Sequence, residues 1–544
     1  MKDGRIIAAE EERFTRVKHD NSFPINAINY CLKEGLISSE KLDYVVFYEK
    51  PLNKFERILQ TCIETYPFSF MQFYNAIPSW LNEKLRIRAT IKNKTGYKKN
   101  ILFVNHHDSH AASCFFVSPF KKSAILTVDG AGEWKTTGLY VGKNNKIIPL
   151  KEINFPDSLG LFYSTITAFL GFRVNSDEYK VMALASYGKP RFMKKFVDII
   201  DVREDGSFKL NMEYFAYRSK NRMWSDELEE KLGKPRSPDY KISQRHADIA
   251  STLQKKLEEV YITMSNYLYK ITKIKNLCIA GGVGLNSVAN GKLYEETPFK
   301  HIFVQPAATD AGGALGAALY VYHHILGYKK NFHMSHAYFG PSFTDVEIEN
   351  FLKKENVKYE KMPEKKLINK VATLLANKKI VGWFQGRMEW GPRALGNRSI
   401  LATPIDPKMK DIVKEKVKHR ESFRPFAGSI LCEEVNKYFY VPYKNFESPF
   451  MLFVFNVKKE KSKLIPSVIH VDNTCRLQTV KRQTSQIFYD LIKEFKKITG
   501  IPLILNTSFN VKGEPIVCTP QDALNDFKNT YMDYLVLNKF LIKK

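Results

Sequence analysis

Short apolar runs closed by glycine-rich turns recur through the first three hundred residues, and a helix-like stretch follows each. Ile101–Val104, Ala124–Val128, Asn276–Ala280 and His301–Val304 read as strands, being short, apolar and bounded by turn signals. They run into His106-His107-Asp108-Ser109-His110, Asp129-Gly130-Ala131-Gly132-Glu133, Gly281-Gly282-Val283-Gly284-Leu285-Asn286-Ser287 and Ala308-Thr309-Asp310-Ala311-Gly312-Gly313-Ala314-Leu315-Gly316. A long amphipathic pattern predicts a helix over roughly His246–Thr272. Strand, glycine turn and helix in alternation predict an α/β domain.

The flanks follow the same logic with less regularity. Asp3-Gly4 is a hairpin turn signal, and Arg5–Ala9 reads as a strand leaving it. A helix is expected near Pro24–Glu34, a strand around Tyr44–Tyr48, and mostly helix over 52–97. That last stretch holds Tyr66-Pro67-Phe68-Ser69-Phe70-Met71-Gln72-Phe73-Tyr74, read here as core, with the wall of an acceptor pocket as the sharper alternative. Lys330–Lys366 is polar and contains Gly340-Pro341, so a domain boundary is placed there. Beyond it, strands at Ile380–Phe384 and Leu503–Leu505 alternate with helices, predicting a second α/β domain. His470–Thr479 alternates as a strand would, putting His470, Asp472, Thr474 and Arg476 on one face.

Composition narrows the class. The chain has 544 residues, enough for several domains, and is 44% hydrophobic. Seven scattered cysteines without a CxxC pair argue against a disulfide framework or a cysteine-rich zinc module and fit a reducing, cytoplasmic setting. No apolar run reaches the roughly 18 residues of a membrane span. The net charge of +27 suggests nucleic acid first, but the excess is lysine spread along the chain without a basic arm, so nucleic acid is not the preferred partner. Anionic substrates or an anionic membrane face remain compatible with it.

The densest chemistry lies in Gly386-Arg387-Met388-Glu389-Trp390-Gly391-Pro392-Arg393-Ala394-Leu395-Gly396-Asn397-Arg398-Ser399, with Arg424, Arg476 and Asn506-Thr507-Ser508-Phe509-Asn510 downstream. Arginine forks match phosphate and carboxylate oxygens in pairs, so a small cationic pocket for a compact phosphorylated metabolite is expected. A solvated basic loop is the plainer alternative. His106 and His110, four apart, share a helix face if the helix begins by His106, and Asp129 and Asp310 stand at strand ends. Two imidazoles and two carboxylates suit a divalent transition metal. The turns at Gly130 and Gly132, at Gly281, Gly282 and Asn286, and at Gly312 leave helix-start amides for a nucleotide, unless they are ordinary tight turns. None matches a P-loop or a clean GxGxxG. Lys180, in Glu178-Tyr179-Lys180-Val181-Met182, is read as a phosphate or substrate ligand or as one half of a surface ion pair.

Taken with Glu11-Glu12-Arg13-Phe14-Thr15-Arg16, Phe155-Pro156-Asp157-Ser158-Leu159-Gly160 and Ser422-Phe423-Arg424-Pro425-Phe426-Ala427, these stretches resemble the O-carbamoyltransferases of the nodulation and antibiotic-tailoring type. The resemblance runs nearly end to end. It implies an α/β architecture: an N-terminal duplicated domain of the actin, Hsp70 and sugar-kinase (ASKHA) type over 1–345, similar to the tRNA threonylcarbamoyl transferase subunit, then a smaller YrdC-like α/β domain over 360–544. It implies that carbamoyl phosphate and ATP form carbamoyladenylate, and that the carbamoyl group passes to a hydroxyl of a sugar-like or natural-product acceptor with a metal helping.

By the same resemblance, the metal falls on His106, His110, Asp129 and Asp310, with iron foremost and manganese, zinc or magnesium as alternatives. The nucleotide falls on Gly130, Gly132, Gly281, Gly282, Asn286 and Gly312. Carbamoyl phosphate falls on Arg387, Arg393, Arg398, Lys418, Arg424, Arg476, Asn506, Ser508 and Asn510, with Lys180, Arg393 and Arg424 as catalytic candidates. A homodimer is implied too. Family members begin with an apolar strand and a His-Asp-Ser-type turn that this sequence lacks ahead of Asp3-Gly4, which implies an exposed sheet edge. Two other readings stay open: a tRNA threonylcarbamoyl-type transferase, and an inactive, truncated metabolite-binding homologue. Hydrogenase-maturation carbamoylation is disfavoured, because the cysteine zinc motifs of that family are absent.

Overall fold

A computed structural model describes residues 5–544, and the Asp3-Gly4 turn lies outside them. The chain forms two compact units of mixed α/β structure: Leu36–Met334, and residues 5–35 together with Ser335–Lys544. The expected first domain ran from residue 1, whereas residues 5–35 pack with the second unit. No strand forms over Arg5–Ala9 either. Instead this segment leads into short helix Glu12–Thr15 and helix Ile25–Glu34. Just beyond Ala9, Arg13 donates to Gly391 O at 2.8 Å and Arg16 to Ile516 O at 2.7 Å, which ties this segment to the second unit.

The first unit is built on a five-stranded sheet in the order Lys146–Asn154, Lys135–Lys143, Lys122–Val128, Asn276–Ala280, His301–Val304. The first three strands are an antiparallel meander and the last two join in parallel. Lys122–Val128 is buried from Ser123 onward, as expected of a strand covered on both faces. Val45–Phe47 and Ile101–Phe103 make a separate two-stranded parallel sheet.

Helices His106–Phe115 and Asp310–Leu319 pack against each other, and Gly316 sets how closely. A Cβ at 316 would stand 1.8 Å from Ser109 O, so only glycine permits this crossing. The crossing brings the starts of the two helices together.

The aromatic run does not form core. Tyr66, Phe68, Phe70, Met71 and Tyr74 are exposed, because the helices over 51–95 turn their other side, with Arg57, Trp80 and Ile91, inward. No helix of the described residues is long and apolar enough to cross a membrane.

The second unit carries a nine-stranded mixed sheet. Its central strands are Val381–Phe384, Arg398–Ala402, Leu503–Ser508, Ala427–Leu431 and Thr474–Val480 in that spatial order. The alternating run shortens here: only Thr474–Val480 is strand, while His470–Asn473 turns back, His470 N bonding Thr474 O at 2.8 Å with Asn473 at φ 62°. Asn473 takes that left-handed conformation more readily than most residues.

Candidate functional site

The first unit gathers His106, His110, Asp129 and Asp310 at one point. Helix His106–Phe115 starts at His106, whose amide donates to both Glu133 carboxylate oxygens (3.0 and 3.1 Å), so a buried acid caps the helix where its dipole favours negative charge. The i, i+4 spacing then turns both imidazoles the same way. Asp129 ends strand Lys122–Val128, and its Oδ1 accepts from Gly282 N at 2.9 Å. That contact exists because Gly281, at φ +92°, lets the next turn approach. A Cβ at 281 would lie 2.2 Å from Val128 O.

The four ligand atoms lie within 4.8 Å of one another. Asp129 Oδ2 is 3.1 Å from His106 Nε2 and 3.2 Å from His110 Nε2, the two nitrogens are 3.1 Å apart, and Asp310 Oδ1 stands 3.5 and 3.6 Å from them. Ligands ~2.0–2.1 Å from a tetrahedral centre have edges of about 3.3–3.4 Å, so the residues present fit a small divalent ion. Burial pushes the Asp129 carboxyl up, but His106 and His110 outweigh it and hold it well below its usual range. Burial pulls His110 down, but Asp129 and Asp310 raise it to about 9. Metal ligation requires the imidazole deprotonated, so an ion bound here would compete with a proton on His110.

Most of the expected nucleotide residues have structural work around this cluster. Gly132 abuts His106, where a Cβ would meet the histidine Cβ at 3.0 Å. Gly312 packs on Ala307 O. Asn286 caps helix Ser287–Glu296 and exchanges amide bonds with Gln254 at 2.9 and 3.1 Å. The Gly282 amide already serves Asp129, while a Cβ at Gly130 would have nothing nearer than Leu161 at 4.0 Å. Lys180, half-buried, pairs with Asp177 at 3.2 Å and lies over the Phe172 ring.

In the second unit the arginine run folds around one acid that the sequence reading passed over. Buried Glu389 accepts from the backbone amides of Leu395, Asn397 and Arg398 at 2.7–3.1 Å. The three arginines then diverge. Arg398 is fully buried, donates to the carbonyls of Gln385, Gly386, Asn397 and Pro341, and stacks on Phe384 at 3.5 Å. Arg387 pairs with Glu34 at 2.9 Å and donates to Tyr30. In both, carbonyls or a carboxylate take the guanidinium donors that the expected pocket would use. Arg393 stays beside the sheet. Its neighbours Ala394 and Leu395 are held by Asn506 Nδ2 (3.4 Å) and Gln478 Nε2 (2.8 Å), and these two buried amides are themselves linked at 3.2 Å.

Asn506, Ala427 and Arg476 occupy one row across three adjacent strands. Burial first, then Arg393 and Arg420, push the Arg476 guanidinium well below its ordinary value. Its Nε is buried without a hydrogen-bond partner among the described residues. Arg424 acts on Arg476 in the same direction and pairs with Glu421 at 3.4 Å. His470 is pulled down to about 4, by burial foremost, with Asp472 opposing and Arg476 adding to the drop. Lys418 donates to Ser508 O, Asn510 O and Asn510 Oδ1 at 2.6–2.8 Å, so Lys418, Ser508 and Asn510 form their own bonded turn. Burial, then Arg420 and Arg424, press the Lys418 amine down, which places it at the edge of the same cationic field.

Sequence reasoning missed Arg420, Lys414 and Gln478. The signal was present for the cations: Lys414, Lys418, Arg420 and Arg424 fall within eleven residues. Gln478 carried none.

The carbamoyltransferase N-terminus model matches residues 1–319, and the carbamoyltransferase C-terminus model matches 372–544. The chain belongs to the carbamoyltransferase family. It is 46% identical to the uncharacterised protein sll1178 of Synechocystis sp., over all of this chain and 94% of that protein. It is 38% identical to nodulation protein NolNO of Sinorhizobium fredii, over all of this chain and 78% of the relative. Nodulation protein NolO of Bradyrhizobium diazoefficiens is 38% identical over 81% of this chain and 79% of its own. Among solved structures, full-length HypF aligns with 32% of this carbamoyltransferase and 25% of its own chain, at 25% identity and a TM-score of 0.24, too slight a likeness to define the fold.

Proposed function

We propose that this carbamoyltransferase binds carbamoyl phosphate in the second unit and uses ATP to convert it to carbamoyladenylate. The observation that carries this is buried Arg476, in one row with Ala427 and Asn506, whose Nε has no hydrogen-bond partner among the described residues and whose guanidinium is pressed down by burial and by Arg393, Arg420 and Arg424. Concentrated like charge costs folding free energy, and a doubly anionic phosphate offsets it through paired N–H donors. Asn506 and Gln478 hold the Arg393 loop against this row, so the guanidiniums are set before ligand arrives. In the first half-reaction water hydrolyses the bond between the carbamoyl group and phosphate, giving carbamate and inorganic phosphate, with the water protons passing to the products. The carbamate oxygen then bonds the α-phosphorus of ATP and expels pyrophosphate.

In the second half-reaction an acceptor hydroxyl bonds the carbamoyl carbon, AMP leaves, and the hydroxyl proton passes to a base or to water. The acceptor is a hydroxylated, sugar-like or natural-product molecule, a reading supported by the nodulation relatives. His106, His110, Asp129 and Asp310 would hold a divalent transition metal, which would supply Lewis-acid polarisation of the transferred carbonyl. A mixed imidazole and carboxylate set favours iron, manganese or zinc over magnesium. ATP, the ASKHA-type architecture of the first unit and the YrdC-like character of the second belong to this same reading.

The test is pyrophosphate release from ATP by the purified protein, with and without carbamoyl phosphate and without acceptor. Release that depends on carbamoyl phosphate and is lost in Arg476→Ala supports the reading. Equal release without carbamoyl phosphate, or an Arg476→Ala variant as active as the parent, overturns it.

A further inference from the structure

The helices Pro51–Glu64, Phe70–Ser79 and Ile87–Thr95, with the turn Trp80–Lys84, form one contiguous layer of the first unit. Its inner side is anchored: Trp80 is buried, and Ser69 Oγ donates to Cys62 O at 3.0 Å. Its outer side is apolar. Phe68 is 74% exposed, Tyr66 and Ile63 69% each, and Phe70, Met71, Tyr74 and Leu81 are exposed too. The rings touch one another, Tyr66 with Phe70 at 6.5 Å and Phe70 with Tyr74 at 6.3 Å, so they form a patch rather than scattered residues. Contiguous exposed apolar surface of this kind marks an interaction site.

The charge of the segment that carries the patch selects its occupant. Residues 50–99 hold ten lysines and arginines against three glutamates, a net +7. Lys84, Arg86, Arg88, Lys94, Lys98 and Lys99 are exposed on the segment that follows the aromatic run. A second basic segment, Arg218–Arg222, packs on the patch itself: Gln72 Nε2 donates to Lys220 O at 3.5 Å, and Arg218 pairs with Glu64, one of the three acids, at 2.6 Å. A second copy of this chain would meet the same excess positive charge. A single-stranded nucleic acid would find rings for stacking but no use for Ile63, Met71 and Leu81. Exposed aromatic and aliphatic side chains on a segment of strong net positive charge are what an anionic lipid interface accepts.

We propose that this face docks on the surface of an anionic phospholipid bilayer. Tyr66, Phe68, Phe70 and Tyr74 enter the boundary between headgroups and acyl chains, and the flanking lysines and arginines lie against lipid phosphates. No segment crosses the membrane in this arrangement.

The test is co-sedimentation of the full chain with vesicles of phosphatidylcholine alone and of phosphatidylcholine with phosphatidylglycerol, at low and high salt. The chain is expected to sediment with the anionic vesicles at low salt and to stay in solution with the neutral ones. A Phe68→Ser, Phe70→Ser, Tyr74→Ser variant should bind at least about tenfold more weakly and still release pyrophosphate from ATP. A Lys94→Glu, Lys98→Glu, Lys99→Glu variant should also bind more weakly with the apolar surface intact, so a folding failure of the first variant leaves the test standing. Wild-type protein that ignores anionic vesicles, or binds neutral ones equally, overturns the proposal. So does loss of self-association, or of single-stranded RNA binding, in the aromatic variant while vesicle binding is unchanged.

Discussion

The two candidate sites handle charge in opposite ways. In the first unit, Asp129 and Asp310 face His106 and His110, so donors of both signs stand within one cluster. In the second unit, Arg393, Arg420 and Arg424 all press on buried Arg476, whose Nε has no hydrogen-bond partner among the described residues, so cationic charge is in excess there even with Arg424 paired to Glu421. A cluster of mixed sign stabilises its fold and exchanges a proton for a cation. A cluster of one sign destabilises its fold until an anion arrives. The first is legible from donor types and the second from the work done against like charge.

The largest effect expected in the second unit is catalytic: Arg476→Ala should lower carbamoyl-phosphate-dependent pyrophosphate release by about a thousandfold or more, the scale of losing a buried charge-assisted contact made in the transition state. Next is structural. Arg398→Ala should destabilise the second unit by about 3–5 kcal/mol in urea unfolding, because it orphans a set of buried carbonyls. A result as mild as a surface substitution would return Arg398 to the anion pocket.

The comparison sharpens with Arg476→Met and Asp129→Asn in thermal melts. Without ligand, Arg476→Met should leave the melting temperature unchanged or raise it, by up to about 1–3 kcal/mol of stability, whereas Asp129→Asn should lower it. Inorganic phosphate should stabilise the parent protein and not Arg476→Met. His110→Ala should abolish co-purifying iron, manganese or zinc by elemental analysis, with no change in the phosphate shift.

The smallest effect is a pH slope. The folded His470 is pulled down to about 4 by burial foremost, with Asp472 opposing and Arg476 adding to the drop, from an unfolded value of 6.5. A histidine with a lowered folded value contributes stability in full above 6.5, and that stability is lost as pH falls toward 4. His470→Gln should flatten the melting temperature of the second unit across that window. Phosphate should flatten it too, by adding negative charge beside the imidazole.

Much of this was legible in the chain. The strand Asn276–Ala280 and the strand His301–Val304 stand where their apolar runs predict them, because each is short, buried and closed by a turn. The metal-type quartet was legible because helical spacing and strand ends are local facts. The aromatic run was misread as core, since sequence shows that rings cluster but not which side of a helical layer faces inward. Arg5–Ala9 was misread as a strand because its apolar run is local, whereas a strand needs a partner to pair with.

By itself, the sequence determined the alternation of elements, the donors available for a cation and the excess of positive charge. Tertiary structure decided which of the arginines do what. Arg387, Arg393 and Arg398 carry the same charged group within twelve residues, yet one pairs with Glu34, one is aimed at Arg476, and one binds backbone carbonyls beneath Phe384. The physical reason is that a guanidinium's role is set by the acceptors and charges around it, and those come from residues such as Glu34 and Pro341, up to several hundred residues away along the chain.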